Sequence, residues 1–257
     1  MIKAVFFDVD GTLLSHTKHQ VSQSTREALR KLRQNKIQCV VATGRHLSEM
    51  EKLPVKGIVF DGYITLNGQL CLDSRKKILS AAPIAGGSKK QILRLFEEKR
   101  IPMMLVERDA LYINFINQRV INAQAAISSE LPQVGRYTGS DFYQAIAYIE
   151  KQEEEQFRIL LPDCRITRWN DHGVDIISSR GGKTRGIAEY LSRTGIRREE
   201  TMAFGDGEND VDMLRFVQTG IAMGNAEPEV KEAADYVTGS VDADGIESAL
   251  RHFGLIE

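Results

Sequence analysis

Cysteine is scarce in this chain. Cys39, Cys71 and Cys164 are the only three in 257 residues, far apart and without a C-x-x-C pair. An odd, dispersed set excludes a disulfide framework and a zinc knuckle and fits a reducing compartment. The five histidines form no H-E-x-x-H or similar cluster. An excess of one charge is also absent, since 34 Lys and Arg face 35 Asp and Glu, for a net charge of −1. No basic surplus is available to neutralise nucleic-acid phosphates or an anionic membrane. No apolar run approaches the ~18 residues that a membrane helix needs. The apolar start Met1–Phe7 meets Asp8 and Asp10 at once, unlike a signal peptide. The expectation is a cytoplasmic protein, a monomer or else a dimer, with neither nucleic acid nor membrane as partner.

What is present is an ordinary globular composition, 42% hydrophobic, in a chain long enough for one or two domains and a full core. Residues 3–8 are β-branched and aromatic almost throughout, the pattern of a strand buried on both faces. A helix over 24–35 follows, with Ser24 and Glu27 as a capping box. Next come a strand over 37–42, a helix near 46–53 and a strand near 57–60. Short loops between alternating strands and helices imply parallel βαβ units. Residues 63–66 and 69–72 then form a hairpin about Asn67-Gly68. A Gly- and Ala-rich linker at 83–88 leads to a helix from Ser88, capped by Gln91. Strands near 103–106, 110–115, 143–149, 165–169 and 173–178, with helices at 117–129 and from 151, are more antiparallel in character. The α/β rhythm returns with a helix at 183–194, a strand at 201–204, a helix near 209–216, a strand at 219–222 and a helix at 244–253. This predicts an α/β fold: a Rossmann-like parallel-sheet core (1–83 and 181–257) with an α+β domain inserted at 84–180.

Four segments are candidates for chemistry. Asp8-Val9-Asp10-Gly11-Thr12 stands at the end of the first strand, the edge where open parallel sheets bind ligands. A lone pair of acids there is as often a turn. Thr43-Gly44-Arg45 follows the second strand, where a hydroxyl and a backbone N–H suit an anion, although Thr-Gly is also ordinary turn chemistry. Lys183 opens a helix after Gly181-Gly182, the unfavourable end of the helix dipole unless its ammonium faces anions. Gly205-Asp206-Gly207-Glu208-Asn209-Asp210 again clusters acids after an apolar strand. All four lie where a parallel sheet brings loops to one edge. Asp8, Asp10, Asp206 and Asp210 sum to −4, which cannot persist without compensation. Lys183 and a divalent cation supply +3, and a protonated Asp10 closes the balance. Oxygen ligands without His or Cys select a hard ion, Mg²⁺.

With these motifs in this order, the sequence resembles the haloacid dehalogenase superfamily, in its Cof-like branch of phosphatases with a large α/β cap. Ala222-Met223-Gly224-Asn225-Ala226 fits the same pattern, while Thr184 stands where many relatives have Gly. The resemblance implies an Mg²⁺-dependent phosphatase acting on a small phosphorylated metabolite, a sugar phosphate, through an aspartyl phosphate. Asp8 would be the nucleophile and Asp10 the acid and base. Thr43 and Gly44, with Arg45, would hold the phosphoryl group, and Lys183 would screen it. Asp206, the Asp8 carboxylate and the Asp10 backbone carbonyl would hold the metal, with Asn209 and Asp210 orienting phosphate and metal waters. The inserted domain would choose the substrate, and Trp169, Asn170 and His172 are its candidate contacts. A phosphohexomutase is the alternative on the same scaffold, needing Arg108, Arg119, Arg136, Arg165, Arg168 or Arg180 to converge. A catalytically silent metabolite-binding regulator is the other.

Overall fold

The computed structural model describes all residues but Lys56 and Ser128. Two compact units emerge, Met1–Ser80 together with Lys183–Glu257, and Ala81–Gly182. In chain order the first unit begins with β1 (Ala4–Phe7), α1 (Gln23–Gln34), β2 (Gln38–Ala42), α2 (Leu47–Met50), β3 (Gly62–Thr65), β4 (Leu70–Asp73) and β5 (Ile78–Ala81). The second unit holds α3 (Gly86–Glu97), β6 (Met103–Glu107), β7 (Leu111–Ile113), α4 (Gln118–Ala126), β8 (Phe142–Ala147), α5 (Glu154–Leu160), β9 (Cys164–Asn170) and β10 (Gly173–Ser178). The chain returns to the first unit with α6 (Lys183–Thr194), β11 (Thr201–Gly205), α7 (Val211–Phe216), β12 (Thr219–Ala222), α8 (Pro228–Glu232), β13 (Tyr236–Val237) and α9 (Gly245–His252).

In the first unit the strands form one sheet in the order β13-β12-β11-β1-β2-β3-β4-β5. From β13 to β3 every pairing is parallel, and β4 turns back antiparallel on β3. The alternation in β1 sets the layers. Val5 and Phe7 pack with Leu29 and Leu32 of α1 and Leu250 of α9. Ala4 and Phe6 face the other way, with Ile187 and Tyr190 of α6 and Leu214 of α7. A strand covered on both faces must be apolar throughout, which accounts for the near-continuous run at the start of the sequence. Both buried thiols, Cys39 and Cys71, sit in these layers, and burial pushes each up to about 12. The second unit is a sheet ordered β7-β6-β8-β10-β9, antiparallel throughout, with Ile92 and Phe96 of α3 and Phe157 of α5 in its core. Among the described residues no helix is long and apolar enough to cross a membrane.

Several boundaries differ from the sequence expectation. Residues 57–60 are not a strand: Ile58 and Phe60 pack against the first core layer, but Val59 is exposed, and the parallel partner of β2 is Gly62–Thr65. The apolar run marks a covering loop. The cap of α1 is Ser22, whose side chain accepts from the Thr25 N–H, while the Ser24 hydroxyl reaches Asp244. Helix α3 starts at Gly86 without a side-chain cap, and Ser88 is buried inside its first turn. Strands β5 and β13 and helix α8 carry too little periodicity to be read from sequence. The helix expected over 117–129 ends at Ala126, and its Ser128 lies outside the described residues.

Helix α7 lies so close to β12 that a Cβ on Gly220 would come 2.3 Å from the Leu214 carbonyl oxygen. Gly220→Ala is therefore expected to destabilise the first unit by about 1–3 kcal/mol through overpacking against backbone. Urea unfolding followed by circular dichroism checks this, and an unchanged midpoint would show that α7 can move away.

Candidate active site

The loops after β1, β2 and β11 leave the same edge of the parallel sheet and carry Asp8, Thr43 and Asp206. Gly11, at φ +80°, turns the first loop back, and a Cβ there would collide with the Asp206 carboxylate. That contact fixes Asp206 beside the Asp8 loop. The Thr12 hydroxyl donates to Asp206 Oδ1 at 2.7 Å. Asp210 is turned inward by its own loop, its Oδ2 accepting from the N–H groups of Asp206 (3.1 Å) and Gly207 (3.0 Å). Asp8, Asp206 and Asp210 thus each offer a carboxylate oxygen, all within 4.8 Å of one another.

Lys183 closes this group. Its Nζ donates to Asp8 Oδ1 and to Asp210 Oδ1, both at 2.6 Å, and all three side chains are buried. Burial disfavours the Lys183 charge, but Asp210 and Asp8 outweigh it and hold the ammonium above the ordinary lysine range. Burial raises Asp8 well above the usual carboxylate range despite Lys183, with Asp210, Asp206 and Asp10 adding to the rise. Asp206 is pushed up to about 6, chiefly by burial, against the Thr12 hydrogen bond. Three carboxylates and one ammonium leave −2 when all are charged. A hard divalent cation fits that deficit and that all-oxygen donor set.

Asp10 does not join the cluster through its carboxylate. The Arg45 guanidinium grips it with both arms, Nε to Oδ2 at 2.6 Å and an Nη to Oδ1 at 2.8 Å. Arg45 therefore stands on Asp10, where the sequence had suggested an anion-binding side chain. Thr43 is buried, and its hydroxyl accepts from the Arg45 N–H at 3.1 Å, shaping the loop around Gly44. Asn209 donates to Asn67 Oδ1 at 3.0 Å. Two asparagines come into view only with the structure. Asn225 donates to the Gly11 carbonyl (2.8 Å) and to Asp206 Oδ2 (3.2 Å) and accepts from the Val241 N–H, tying three loops together. Its place in Ala222–Ala226 was a sign without a role attached. Asn67, read as a hairpin turn, touches both Gly44 and Asn209.

Trp169, Asn170 and His172 belong to the second unit and are engaged inside it. The indole of Trp169 packs edge-on to Tyr148 at 6.4 Å. The Asn170 amide accepts from the His172 N–H (2.8 Å) and donates to the Ala123 carbonyl (3.3 Å). The His172 ring reaches Glu150. Asn170 and His172 are thus bonded within their own unit, whereas the buried indole nitrogen of Trp169 has no hydrogen-bond partner in the protein. Arg119 and Arg168 are likewise paired with Glu153 and Glu154.

Comparison with known proteins accords with this architecture. A family model of haloacid dehalogenase-like hydrolases matches residues 5–250. YkrA of Bacillus subtilis (strain 168), which bears a phosphatase name, is 29% identical over 258 residues, covering 99% of both chains. A phosphatase of the same superfamily from Bacteroides thetaiotaomicron, BT1666, superposes with a TM-score of 0.92 at 32% identity, covering 100% of this chain and 96% of that one. The subclass IIB sugar phosphatase BT4131 gives 0.87 at 34% identity, over 99% and 100% of the two chains. With an inserted α/β unit between the halves of a parallel-sheet core, and with acids, lysine and Thr-Gly loop gathered at one sheet edge, the chain belongs to the haloacid dehalogenase-like hydrolases, in their Cof-like phosphatase branch.

Proposed function

We propose that this phosphatase hydrolyses a small phosphorylated metabolite, a sugar phosphate, through a covalent aspartyl phosphate on Asp8. The observation that carries the reading is the buried Lys183 ammonium bridging Asp8 and Asp210 at 2.6 Å each, with Asp206 alongside. A carboxylate and a phosphate dianion repel one another unless fixed positive charge is already in place. Asp8, Asp206 and Asp210, with the Asp10 carbonyl, would hold Mg²⁺, which when bound supplies the remaining positive charge against the phosphoryl oxygens.

In the first step an Asp8 carboxylate oxygen attacks phosphorus, the ester P–O bond breaks and Asp10 gives its proton to the departing alcohol oxygen. In the second, water attacks the acyl phosphate, Asp10 takes its proton, and the P–O bond to Asp8 breaks to release phosphate. Thr43 and Gly44 would hold the phosphoryl oxygens in both steps, with Asn209 beside them. Arg45 aims the Asp10 carboxyl. To act as an acid, Asp10 must take up a proton and release one arm of the guanidinium. We assign choice of the leaving group to the second unit, because the core loops carry the phosphoryl chemistry. The likeness to the sugar phosphatase BT4131 supports a sugar ester as that group.

Phosphate release from a panel of sugar phosphates, with Mg²⁺ and no added bisphosphate, tests the reading directly. Asp8→Asn is expected to lower turnover by more than ~10³-fold, since the amide cannot attack phosphorus. The same variant should unfold no earlier than the wild type in chelator at neutral pH, because it removes a buried charge held at a penalty. Turnover near wild type in folded Asp8→Asn would exclude the covalent route.

The raised carboxylates give a pH dependence to metal stabilisation. An acid whose folded pKa lies above its unfolded value weakens the fold as pH climbs from the unfolded toward the folded pKa. For Asp206 that window runs from about 3.8 to about 6. Above it the charge is present and a divalent cation relieves it. Below its upper end, about 6, protons compete for the same oxygens. The rise in melting temperature on adding Mg²⁺ should be large at pH 7.5 and small at pH 5, as measured by differential scanning fluorimetry. An equal rise at both would mean that the cluster is not the metal site.

Arg45→Ala should matter in proportion to the leaving group's need for a proton. An aryl phosphate leaves with little help, whereas a sugar alkoxide needs Asp10 in position. The expected kcat/KM loss is at least ~10-fold larger for sugar phosphates than for p-nitrophenyl phosphate. An equal loss for both would instead make Arg45 a phosphoryl-binding residue.

A further inference from the structure

The turn joining β3 to β4 is held in a conformation that its residues resist. Leu66, Asn67 and Gly68 lie at φ +53°, +52° and +83°. Glycine enters the left-handed region freely and asparagine visits it, but leucine does so only under constraint. The turn continues into Gln69, wholly buried, with neither side-chain amide atom hydrogen-bonded within the protein. A two-residue turn on Asn67-Gly68 would close an antiparallel pair without straining Leu66. Strained backbone of this kind persists where its surroundings over-determine it, and it collects at functional sites.

The surroundings here are the Thr43–Gly44–Arg45 loop and Asn209. Leu66 N–H donates to the Arg45 carbonyl at 3.3 Å and Asn67 N–H to the Thr43 carbonyl at 3.0 Å, one bond on each side of Gly44. The Asn67 side chain lies against Gly44 itself, where a Cβ would come 3.1 Å from Oδ1 and 3.2 Å from Nδ2. The same Oδ1 accepts from Asn209 Nδ2 at 3.0 Å. Asn67 is buried. One side chain therefore spans from the loop after β2 to the loop after β11, and the left-handed turn is what delivers it there.

We infer that Asn67 is a positioning residue of the phosphoryl site. It sets the spacing between the Thr43–Gly44 donors and the Asn209 amide so that both meet one phosphoryl group. This rests on the phosphatase reading above. An asparagine suits the task because it tolerates the left-handed backbone, offers an acceptor to Asn209 and brings no negative charge near a phosphate.

Asn67→Gly keeps the backbone conformation and deletes the side chain. Asn67→Asp keeps an acceptor for Asn209 but sets a carboxylate beside Gly44. For Asn67→Gly we expect a melting temperature close to wild type, a loss of about tenfold in kcat/KM for p-nitrophenyl phosphate carried mainly by KM, and similarly weakened binding of orthovanadate. For Asn67→Asp the loss in both should be larger, through repulsion of the anion. Wild-type kcat/KM and orthovanadate affinity in both variants would overturn the inference while leaving the phosphatase reading intact. So would a loss that follows a fall in melting temperature and vanishes on cooling. If the wild-type protein with Mg²⁺ neither released phosphate nor bound orthovanadate, the phosphatase reading would fall, and this inference with it.

Discussion

A lysine ammonium buried between two carboxylates is the contact on which the rest of the site depends. Lys183, Asp8 and Asp210 are each almost wholly withdrawn from water. Any one of them alone in that position would be very costly. Together they offset one another, and Asp210 is further satisfied by two backbone N–H groups of its own loop. The cluster nevertheless remains short of positive charge by two. That deficit, rather than any single residue, gives the site its appetite for a cation.

The parallel sheet makes this possible. Side chains that meet in the cluster come from positions 8, 183, 206 and 210: the acids stand in the loops at the carboxyl ends of the neighbouring strands β1 and β11, and Lys183 reaches them from the first turn of α6. The strands supply stiffness because both faces are packed, with Phe7 stacked on Phe204 at 5.3 Å directly beneath the two acidic loops. Smaller polar groups then trim the positions. Thr12 and Asn225 hold Asp206, Arg45 holds Asp10, and the Thr43 hydroxyl holds its own loop. A site held to within fractions of an ångström needs this second ring of contacts as much as the reacting groups.

Much of this was legible in the amino-acid order, and the parts that were not share a cause. Strand β1, with its buried run ending in Asp8, and helix α6, opening at Lys183, announce themselves through periodicity and through acids placed where apolar runs stop. Contacts made by polar side chains across distant loops leave no such trace. Asn67 sits in a dipeptide that marks a turn in any protein, so its reach to Asn209, 142 residues away, is invisible until the chain is folded. The neighbours Thr43 and Gly44 suggest an anion for Arg45, and its two-armed hold on Asp10, 35 residues away, is visible only in the folded chain. Trp169, Asn170 and His172 suit a sugar by residue type, and only the folded chain shows that Asn170 and His172 also bond to Ala123 and Glu150 of their own unit while the Trp169 indole nitrogen stays unpartnered.

The order in which these pieces occur along the chain has a consequence for biosynthesis. Strand β1 is made early, but one of its two neighbours, β11, follows only after the entire second unit, and the partner of Asp8 lies 175 residues downstream. At a ribosomal pace of ~5–20 residues per second, that separation amounts to roughly 10–35 s during which β1 has one open edge and the Asp8 loop no counter-charge. The N-terminal strands must wait, paired only among themselves. Meanwhile the inserted unit, contiguous in sequence, can complete its own sheet first. The first unit to begin emerging is thus the last to finish, and a chain interrupted before β11 leaves its sheet unclosed at β1, a species open to edge-to-edge association.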